Sequence, residues 1–159
     1  MNSNNYRNWN VLSWNVRGIN ASWKWNAVKD KILQSSCDIV CLQETNKDVF
    51  YSQFLKHICL NSLDAFEFLP SNGASRGILV AWNGSLFSSN KIFSNDYCLS
   101  MEFTSTHNDA YWVLTCVYGP CTAEAKVLFL NWLKEIQMPD NVDWLILGDF
   151  NLIRQEDRN

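Results

Sequence analysis

The chain has 159 residues, of which 47% are hydrophobic and 18% are charged, and its formal net charge is -3. This length fits one globular domain, and the hydrophobic share is enough to build a core. The acidic balance excludes a protein that holds nucleic acid through bulk positive charge alone, so a phosphate-bearing partner must be bound locally.

The first part of the chain alternates strands and helices. After a polar tail over residues 1–9, apolar periodicity and breaking residues predict a strand over 10–15, a helix over 23–34, a strand over 38–43 and a helix over 48–60. This alternation is typical of α/β proteins.

The second part of the chain is rich in short strands. Strand-type runs separated by Asn, Gly, Ser and Asp are predicted over residues 66–69, 78–82, 86–93, 98–104 and 111–118. A helix over residues 123–137, with Thr122 as its N-cap, precedes a last apolar strand over residues 144–147. Strands this close in sequence pair mainly antiparallel, so the pattern predicts an α/β fold with at least one mixed sheet buried between other layers.

Neither a membrane span nor a disulfide framework is expected. No apolar run approaches the roughly 18 residues of a membrane span, and the N-terminus has no signal-type segment. The six cysteines form no CxxC pair and no zinc-finger spacing with histidine. They are predicted to be reduced and mostly buried. An intracellular, soluble protein is expected because neither a signal-type segment nor a membrane span is predicted.

Polar side chains follow four of the apolar strands at the point where each strand ends. The strands NVLSWN, DIVCLQE, WVLTCVY and WLILGD end at Asn15, Glu44, Tyr118 and Asp149. In open α/β sheets ligands collect beyond the carboxyl ends of the strands, so we expect these side chains to converge. Asn151 lies two residues after Asp149, and an extended backbone would place both side chains on the same side.

These residue types suit metal-assisted hydrolysis of a phosphoester. Asp149 can orient or deprotonate a water molecule, and the amide of Asn151 can donate to a phosphate oxygen. Glu44 offers a hard oxygen ligand, and Mg²⁺ typically uses one or two carboxylates beside water and phosphate. Taken singly, the residues also have structural explanations: Glu44 as a helix N-terminal charge, Asn15 as a cap, and Tyr118 as packing at a turn.

Taken together, five segments resemble a known family in order and spacing. They are SWNVRG over 13–18, DIVCLQET over 38–45, RGILVAW over 76–82, VYGP over 117–120 and LGDFN over 147–151. The set is similar to the endonuclease/exonuclease/phosphatase superfamily. Within it, WNVRG, LQET, VYGP and GDFN resemble the endonuclease domain of plant LINE-type retrotransposons, and the resemblance covers residue 10 to the end of the chain.

The resemblance implies a fold and an activity. The fold would be a two-sheet α/β sandwich of the deoxyribonuclease I type, with helices on the outer faces. The activity would be phosphodiester hydrolysis dependent on Mg²⁺, with Mn²⁺ as the alternative, and the substrate would be DNA, nicked by a retrotransposon-type endonuclease. No membrane and no obligate protein partner are implied, and a nuclear location follows only from the resemblance.

The resemblance also implies roles for the matching residues. Glu44 would bind the metal ion, and Asn15 beside it would support the metal or the phosphate. Tyr118 would contact the scissile phosphate. Asp149 would position the attacking water, and Asn151 would steady the phosphate.

Two departures from the family pattern matter. Arg17 stands where the abasic-site repair branch carries an acidic residue, which fits the retrotransposon branch better. The chain ends shortly after GDFN, so residues 10–159 are expected to be a partial domain that lacks the family's final strands and its closing Asp–His pair. His57 and His107, in a predicted helix and a predicted turn, do not replace that histidine. A non-catalytic remnant, or a fragment that binds a metal or a partner, is therefore the alternative to an active enzyme.

A serine hydrolase is a remote further alternative. The segment GASRG over 73–77 matches a nucleophile elbow, and Ser75, Asp96 and His107 follow in the order of a catalytic triad. An elbow needs a helix after the serine. Here a strand is predicted after Ser75, which favours a hairpin instead.

A basic and aromatic cluster lies beside the first strand end. It consists of Arg17, Trp23, Lys24 and Trp25. Such a cluster can stack on or face a nucleic-acid strand. The other interpretation is a partly buried start of a helix.

Overall fold

Two four-stranded sheets are the framework of the protein, which is described here by a computed structural model over residues 8–152. The strands of the first sheet are β1 (Val11–Asn15), β2 (Ile39–Gln43), β3 (Ala65–Asn72) and β4 (Ser75–Trp82). Those of the second are β5 (Phe87–Asn95), β6 (Cys98–Ser105), β7 (Tyr111–Tyr118) and β8 (Asp143–Asp149). The helices are α1 (Trp25–Ser35), entered through a 3₁₀ turn at Ser22–Lys24, α2 (Ser52–Ile58) and α3 (Ala123–Glu135). The predictions for residues 1–7 and 153–159 lie outside the described residues.

Both sheets are mixed. Their strand orders are β1-β2-β4-β3 and β5-β6-β7-β8. The pairs β1–β2 and β7–β8 are parallel, whereas the other pairs are antiparallel. The predicted mixed α/β fold is confirmed. Because parallel strands run in the same direction, each parallel pair brings two carboxyl ends to the same edge of its sheet.

The core is layered because successive residues of a central strand face opposite sides. In β2, Ile39 and Cys41 pack in the cluster between the two sheets, whereas Val40 and Leu42 pack with residues of α1 and α2. On the far side, Phe129 of α3 packs on the outer face of the second sheet. The sandwich with helices on its outer faces, which the resemblance implies, is thus observed.

The second helix is shorter than predicted. It spans Ser52–Ile58 rather than residues 48–60. Ahead of it, the Lys47 carbonyl accepts a hydrogen bond from Ser71 N (2.8 Å), and Phe50 is buried in the core. These tertiary contacts hold the segment away from a helical path, although its apolar spacing is helical.

Other element boundaries agree more closely with the sequence. Thr122 caps α3 as predicted, since its Oγ1 accepts a hydrogen bond from Ala125 N (3.3 Å). β8 is longer than the predicted 144–147 because polar residues at both of its ends join the ladder with β7. None of the helices in the described part of the chain is long and apolar enough to cross a membrane.

The cysteines are free thiols that differ in burial. Cys41, Cys59, Cys98 and Cys116 are buried, as predicted, and Cys37 is half-buried. Burial raises the pKa of Cys59 and of Cys98 to about 12, so these thiols stay protonated near neutral pH. The exception is Cys121, which is exposed in the loop after β7.

Candidate active site at the strand ends

Four strand ends meet at one edge of the sandwich. In the parallel pair β1–β2, Asn15 lies opposite Gln43, and Glu44 follows directly. In the parallel pair β7–β8, Tyr118 lies opposite Asp149. Hydrogen bonds between the two sheets, from Asn15 to Asp149 and from Tyr118 to Glu44, join these edges. The structure therefore brings together the four strand-end residues that the sequence predicts to converge.

The Asp149 carboxylate is held from two sides. Asn15 Nδ2 donates to its Oδ2 (2.9 Å), and the backbone N–H of Asn151 donates to its Oδ1 (3.0 Å). Asn15 is oriented in turn, because its Oδ1 accepts a hydrogen bond from Arg17 N (3.0 Å). Each carboxylate oxygen keeps a second lone pair, so Asp149 is fixed in direction and can still accept a hydrogen bond from water.

Glu44 and Tyr118 form the other half of the site. Tyr118 Oη donates a hydrogen bond to Glu44 Oε2 (3.1 Å). Tyr118 is buried, whereas Glu44 is partly exposed. Glu44 Oε1 accepts no hydrogen bond from residues 8–152, so this oxygen is open to a ligand that approaches from solvent.

Asn151 departs from the extended path expected for it. Its φ of 51° is in the left-handed region, and its Nδ2 donates to the Gly119 carbonyl (2.7 Å). A Cβ at Gly119 would collide with the backbone of Phe150, so glycine is what lets the two loops touch. The Asn151 amide is therefore tied to the loop after Tyr118 instead of standing beside Asp149 on one face of a strand.

Strained backbone is concentrated around these side chains. Of the six non-glycine residues with positive φ in the described chain, four lie here: Arg17, Glu44, Asn46 and Asn151. Each such residue costs about 1–3 kcal/mol and persists only where the surroundings hold it. The hydrogen bond from Gly18 N to the Glu44 carbonyl (2.6 Å) is one such restraint. Strain of this kind clusters at binding and catalytic sites, and here it surrounds a carboxylate with an open oxygen.

Gly77 allows β4 to support the loop that carries Glu44. Its φ is +88°, and a Cβ added to it would collide with the Thr45 hydroxyl. Thr45 is fully buried, and its N–H donates to the Gly77 carbonyl (3.2 Å). The close approach between the strand and the loop thus requires glycine.

Gly77→Ala is expected to destabilise the protein by about 2–4 kcal/mol, since an unfavourable φ and an overpacked contact add together. Unfolding in urea would measure the loss. The matched control is Gly73→Ala, where φ is +57° and the added Cβ meets no atom within 4 Å. It should lose only about 1 kcal/mol. Equal losses in the two variants would show that the contact with Thr45 is unimportant.

Tyr118 is a neutral hydrogen-bond donor over the whole physiological range. Burial raises its pKa to about 12, the nearby amide of Asn151 opposes the rise, and the negative charge of Glu44 adds to it. The phenol therefore donates to Glu44 and does not carry a negative charge toward an anionic substrate.

The stability that Tyr118 contributes should depend on pH. Its folded pKa lies above the unfolded value of about 10, so the contribution is complete below about pH 10 and is lost as the pH rises through about 12. We expect the difference in unfolding free energy between the parent and Tyr118→Phe to fall by about 2 kcal/mol across this range. A difference that stays flat with pH would contradict the raised pKa.

An open cleft of about 590 Å³ exposes the Asp149 half of the site. Sequence reasoning misses Gln43, which lines this cleft and is 1% exposed. Its Nε2 donates to Ser13 Oγ (2.9 Å) and to Cys116 Sγ (3.3 Å), so it links β1 to β7 beneath the site. The sequence signal that could have identified Gln43 is a polar residue within an otherwise apolar strand.

The oxygen groups present fit a weakly held, largely hydrated divalent cation. Residues 8–152 contain no cluster of three or more His, Cys, Asp or Glu side chains that could hold a metal by themselves. Mg²⁺ keeps several waters and uses one or two carboxylates with substrate phosphate. Glu44, with one free oxygen, is the group best placed to hold such an ion, and Asn15 is already engaged with Asp149.

The two histidines lie away from the site. His57 of α2 packs against the Trp25 ring, with centroids 4.7 Å apart. His107 is in the turn before β7, whereas Tyr118 is at the far end of that strand. Neither histidine therefore serves the strand-end residues, as expected from the sequence.

The basic aromatic cluster is divided by the fold. Lys24 Nζ donates to the carbonyls of Val16 (3.3 Å), Arg17 (2.7 Å) and Gly18 (2.9 Å), so it braces the loop after β1. Trp25 Nε1 donates to the Ile19 carbonyl, and its ring packs in the core between α1 and α2. These two residues are structural. Arg17, which lines the cleft, and Trp23, which is 79% exposed, remain free to meet a ligand.

The geometry of a serine-hydrolase elbow is absent from the described residues. Ser75 is the first residue of β4 in an antiparallel hairpin with β3, and no helix follows it. Its side chain is buried, and its Oγ accepts a hydrogen bond from Gly77 N (3.2 Å). The GASRG match is therefore a hairpin turn.

Solved structures of similar fold come from several enzymes. A mannosyl-6-phosphatase of Bacteroides thetaiotaomicron superposes with a TM-score of 0.66 at 14% identity, over 94% of this chain and 68% of that one. The human Nocturnin catalytic domain with bound sulfate superposes with a TM-score of 0.61 at 17% identity, over 93% of this chain and 65% of that one. TDP2 of D. rerio in complex with a single-stranded DNA product superposes with a TM-score of 0.59 at 18% identity, over 92% of this chain and 62% of that one. At these identities the likeness establishes the fold.

The chain spans about two thirds of the length of these structures, between 62% and 68%. No curated protein matches the sequence. The model of a sequence family, described as "Endonuclease/Exonuclease/phosphatase family", matches residues 12–159. This match includes the four strand-end residues Asn15, Glu44, Tyr118 and Asp149, and also Asn151.

Proposed function

Because the chain belongs to the endonuclease/exonuclease/phosphatase family, we propose that it hydrolyses phosphodiester bonds in DNA with a divalent metal ion, Mg²⁺ or alternatively Mn²⁺. Within this proposal, residues 10–159 are a partial domain that contains the residues of the proposed activity. One observation supports the proposal. At one edge of the sandwich, Tyr118 is hydrogen-bonded to Glu44 and Asn15 is hydrogen-bonded to Asp149. Two carboxylates supported by neutral donors suit attack of water on a phosphate anion.

Each site residue has a role that follows from its contacts. Glu44 would hold the metal ion, and Tyr118 fixes the direction of that carboxylate. A bound divalent ion would neutralise charge on the phosphate. Asp149 orients the attacking water and takes up its proton, while Asn15 keeps the carboxylate aligned. The second amide hydrogen of Asn151 donates to a phosphate oxygen that gains charge in the transition state, and Tyr118 contacts the phosphate while its hydroxyl proton is donated to Glu44.

We base the proposal of DNA as the substrate on the sequence motifs and on Arg17. The same observations support a retrotransposon-type nickase as the kind of enzyme. The motifs WNVRG, LQET, VYGP and GDFN support the retrotransposon assignment. Arg17, which replaces a carboxylate of the repair branch, lines the cleft and adds positive charge where a DNA backbone would lie. The similar structures include a phosphatase and a protein bound to single-stranded DNA, so the fold alone does not select the substrate.

Nicking of supercoiled plasmid tests the proposal directly. With Mg²⁺ or Mn²⁺ we expect nicked circles, and with EDTA we expect none. A phosphomonoester, p-nitrophenyl phosphate, should be a poor substrate. Faster cleavage of the monoester than of DNA would make the protein a phosphatase. Cation binding by folded protein, without hydrolysis of either substrate, would overturn the enzymatic proposal and leave the non-catalytic alternative.

A further inference from the structure

A second cleft borders the site, and the proposed roles of the strand-end residues do not account for it. It has a volume of about 200 Å³ and shares no lining residue with the Asp149 cleft. Its walls come from the β3–β4 turn, from Tyr97 between β5 and β6, and from the loop between β7 and α3. Tyr118 lines this cleft with its ring and donates through its hydroxyl to Glu44, so the cleft begins where the scissile phosphate is proposed to lie.

Arg76 is the charged residue of this cleft. Its side chain is exposed and makes no hydrogen bond or ion pair with residues 8–152. Its backbone is well held, since its carbonyl accepts a hydrogen bond from Asn46 N (2.8 Å), two residues after Glu44. No acidic side chain is among the described residues that line the cleft. The backbone of Arg76 is fixed near the metal-binding loop, and its exposed guanidinium has no carboxylate partner among the described residues, which suits it to a phosphate.

Tyr97 is the second aromatic residue, beside Tyr118, that lines this cleft. Its carbonyl accepts a hydrogen bond from Tyr118 N (2.9 Å), and its ring packs edge-on against Phe129, with centroids 5.8 Å apart. The ring is therefore rigidly placed and only half-buried. A fixed aromatic face beside a cation is the combination that binds single nucleic-acid strands, with stacking for a base or sugar and charge for the backbone.

We propose that this Arg76 cleft binds the backbone phosphate next to the scissile one, so that the enzyme favours a polynucleotide over an isolated phosphate ester. The inference rests on the proposed function, because Tyr118 and Glu44 define the scissile position. Arg76 is here a specificity-determining residue, and it makes no contact with the reacting atoms.

Binding of a labelled single-stranded oligonucleotide in EDTA, followed by fluorescence anisotropy at several salt concentrations, tests the cleft without hydrolysis. Arg76→Ala should weaken binding roughly tenfold and reduce the slope of log K against log salt by about 0.7. Arg76→Lys should keep most of the slope, since the charge remains. Lys91→Ala, which removes an exposed cation of β5 away from the cleft, is the control and should change neither quantity. Equal effects of the Arg76 and Lys91 variants, or none from Arg76→Ala, would overturn the inference.

Turnover separates this inference from the proposed function. With Mg²⁺, the ratio of kcat/KM for an oligonucleotide to kcat/KM for bis(p-nitrophenyl) phosphate should fall roughly tenfold in Arg76→Ala. If both substrates are cleaved and the ratio is unchanged, the proposed function stands and the Arg76 subsite is refuted. If neither is cleaved but DNA binding still depends on Arg76, the cleft binds a backbone phosphate of DNA and the proposed activity is refuted.

Discussion

Glu44→Gln is expected to abolish divalent-metal binding and to lower DNA nicking by about 10³-fold or more, because a catalytic ion supplies several kcal/mol of charge stabilisation. The substitution keeps the shape of the side chain, and its amide oxygen can still accept the bond from Tyr118. Structure is therefore retained while the negative charge is lost. Calorimetric titration with Mn²⁺ and the rate of plasmid nicking measure the two effects.

The control for this variant is Glu135→Gln at the exposed end of α3. It makes the same chemical change far from the strand ends and should bind Mn²⁺ and nick DNA like the parent. Unchanged Mn²⁺ affinity in Glu44→Gln would place the cation elsewhere and would remove Glu44 from the proposed mechanism.

Asp149→Asn should have the second-largest effect, a loss of about 10²–10⁴ in the hydrolytic rate at saturating metal, because the water loses the group that accepts its proton. Stability should fall as well. Asp149 accepts a hydrogen bond on each oxygen, from Asn15 and from Asn151. An amide accepts on one oxygen only, so one donor is left unpaired at a cost of about 1–3 kcal/mol.

Single-turnover cleavage and urea unfolding measure these two losses. The matched control is Asp143→Asn, at the opposite, exposed end of the same strand, which should leave both quantities unchanged. A double-mutant cycle with Asn15→Ala adds a sharper test. If Asn15 acts only through Asp149, its effect on the rate should vanish in the Asp149→Asn background. Fully additive effects would mean that Asn15 contacts the phosphate or the metal itself.

The sequence was sufficient for most of the element order and for the strand-end residues. Apolar runs and the polar residues that stop them are local patterns, and they predicted Asn15, Glu44, Tyr118 and Asp149 at four strand ends. Thr122 was predicted as a cap for the same reason, since a cap depends on bonds within one turn.

Local patterns failed where a distant contact decided the conformation. The predicted start of the second helix is instead held as a loop by the bond from Ser71 to Lys47. Asn151 was expected to be extended, but its bonds to Asp149 and Gly119 place it in the left-handed region. Lys24 was a candidate for nucleic-acid contact, yet three backbone carbonyls of the loop after β1 engage its ammonium group.

By itself, then, the sequence determined which residue types stand at the strand ends and that they suit phosphoester chemistry. Only the tertiary structure decided their partners, because Tyr118 and Glu44 are 74 residues apart and Asn15 and Asp149 are 134 apart. Such pairs depend on strand order and on the packing of two sheets against each other, which involve segments far apart in sequence, so no single local pattern specifies them. The Arg76 cleft was also decided by the tertiary structure, since its walls come from three separate turns of the chain.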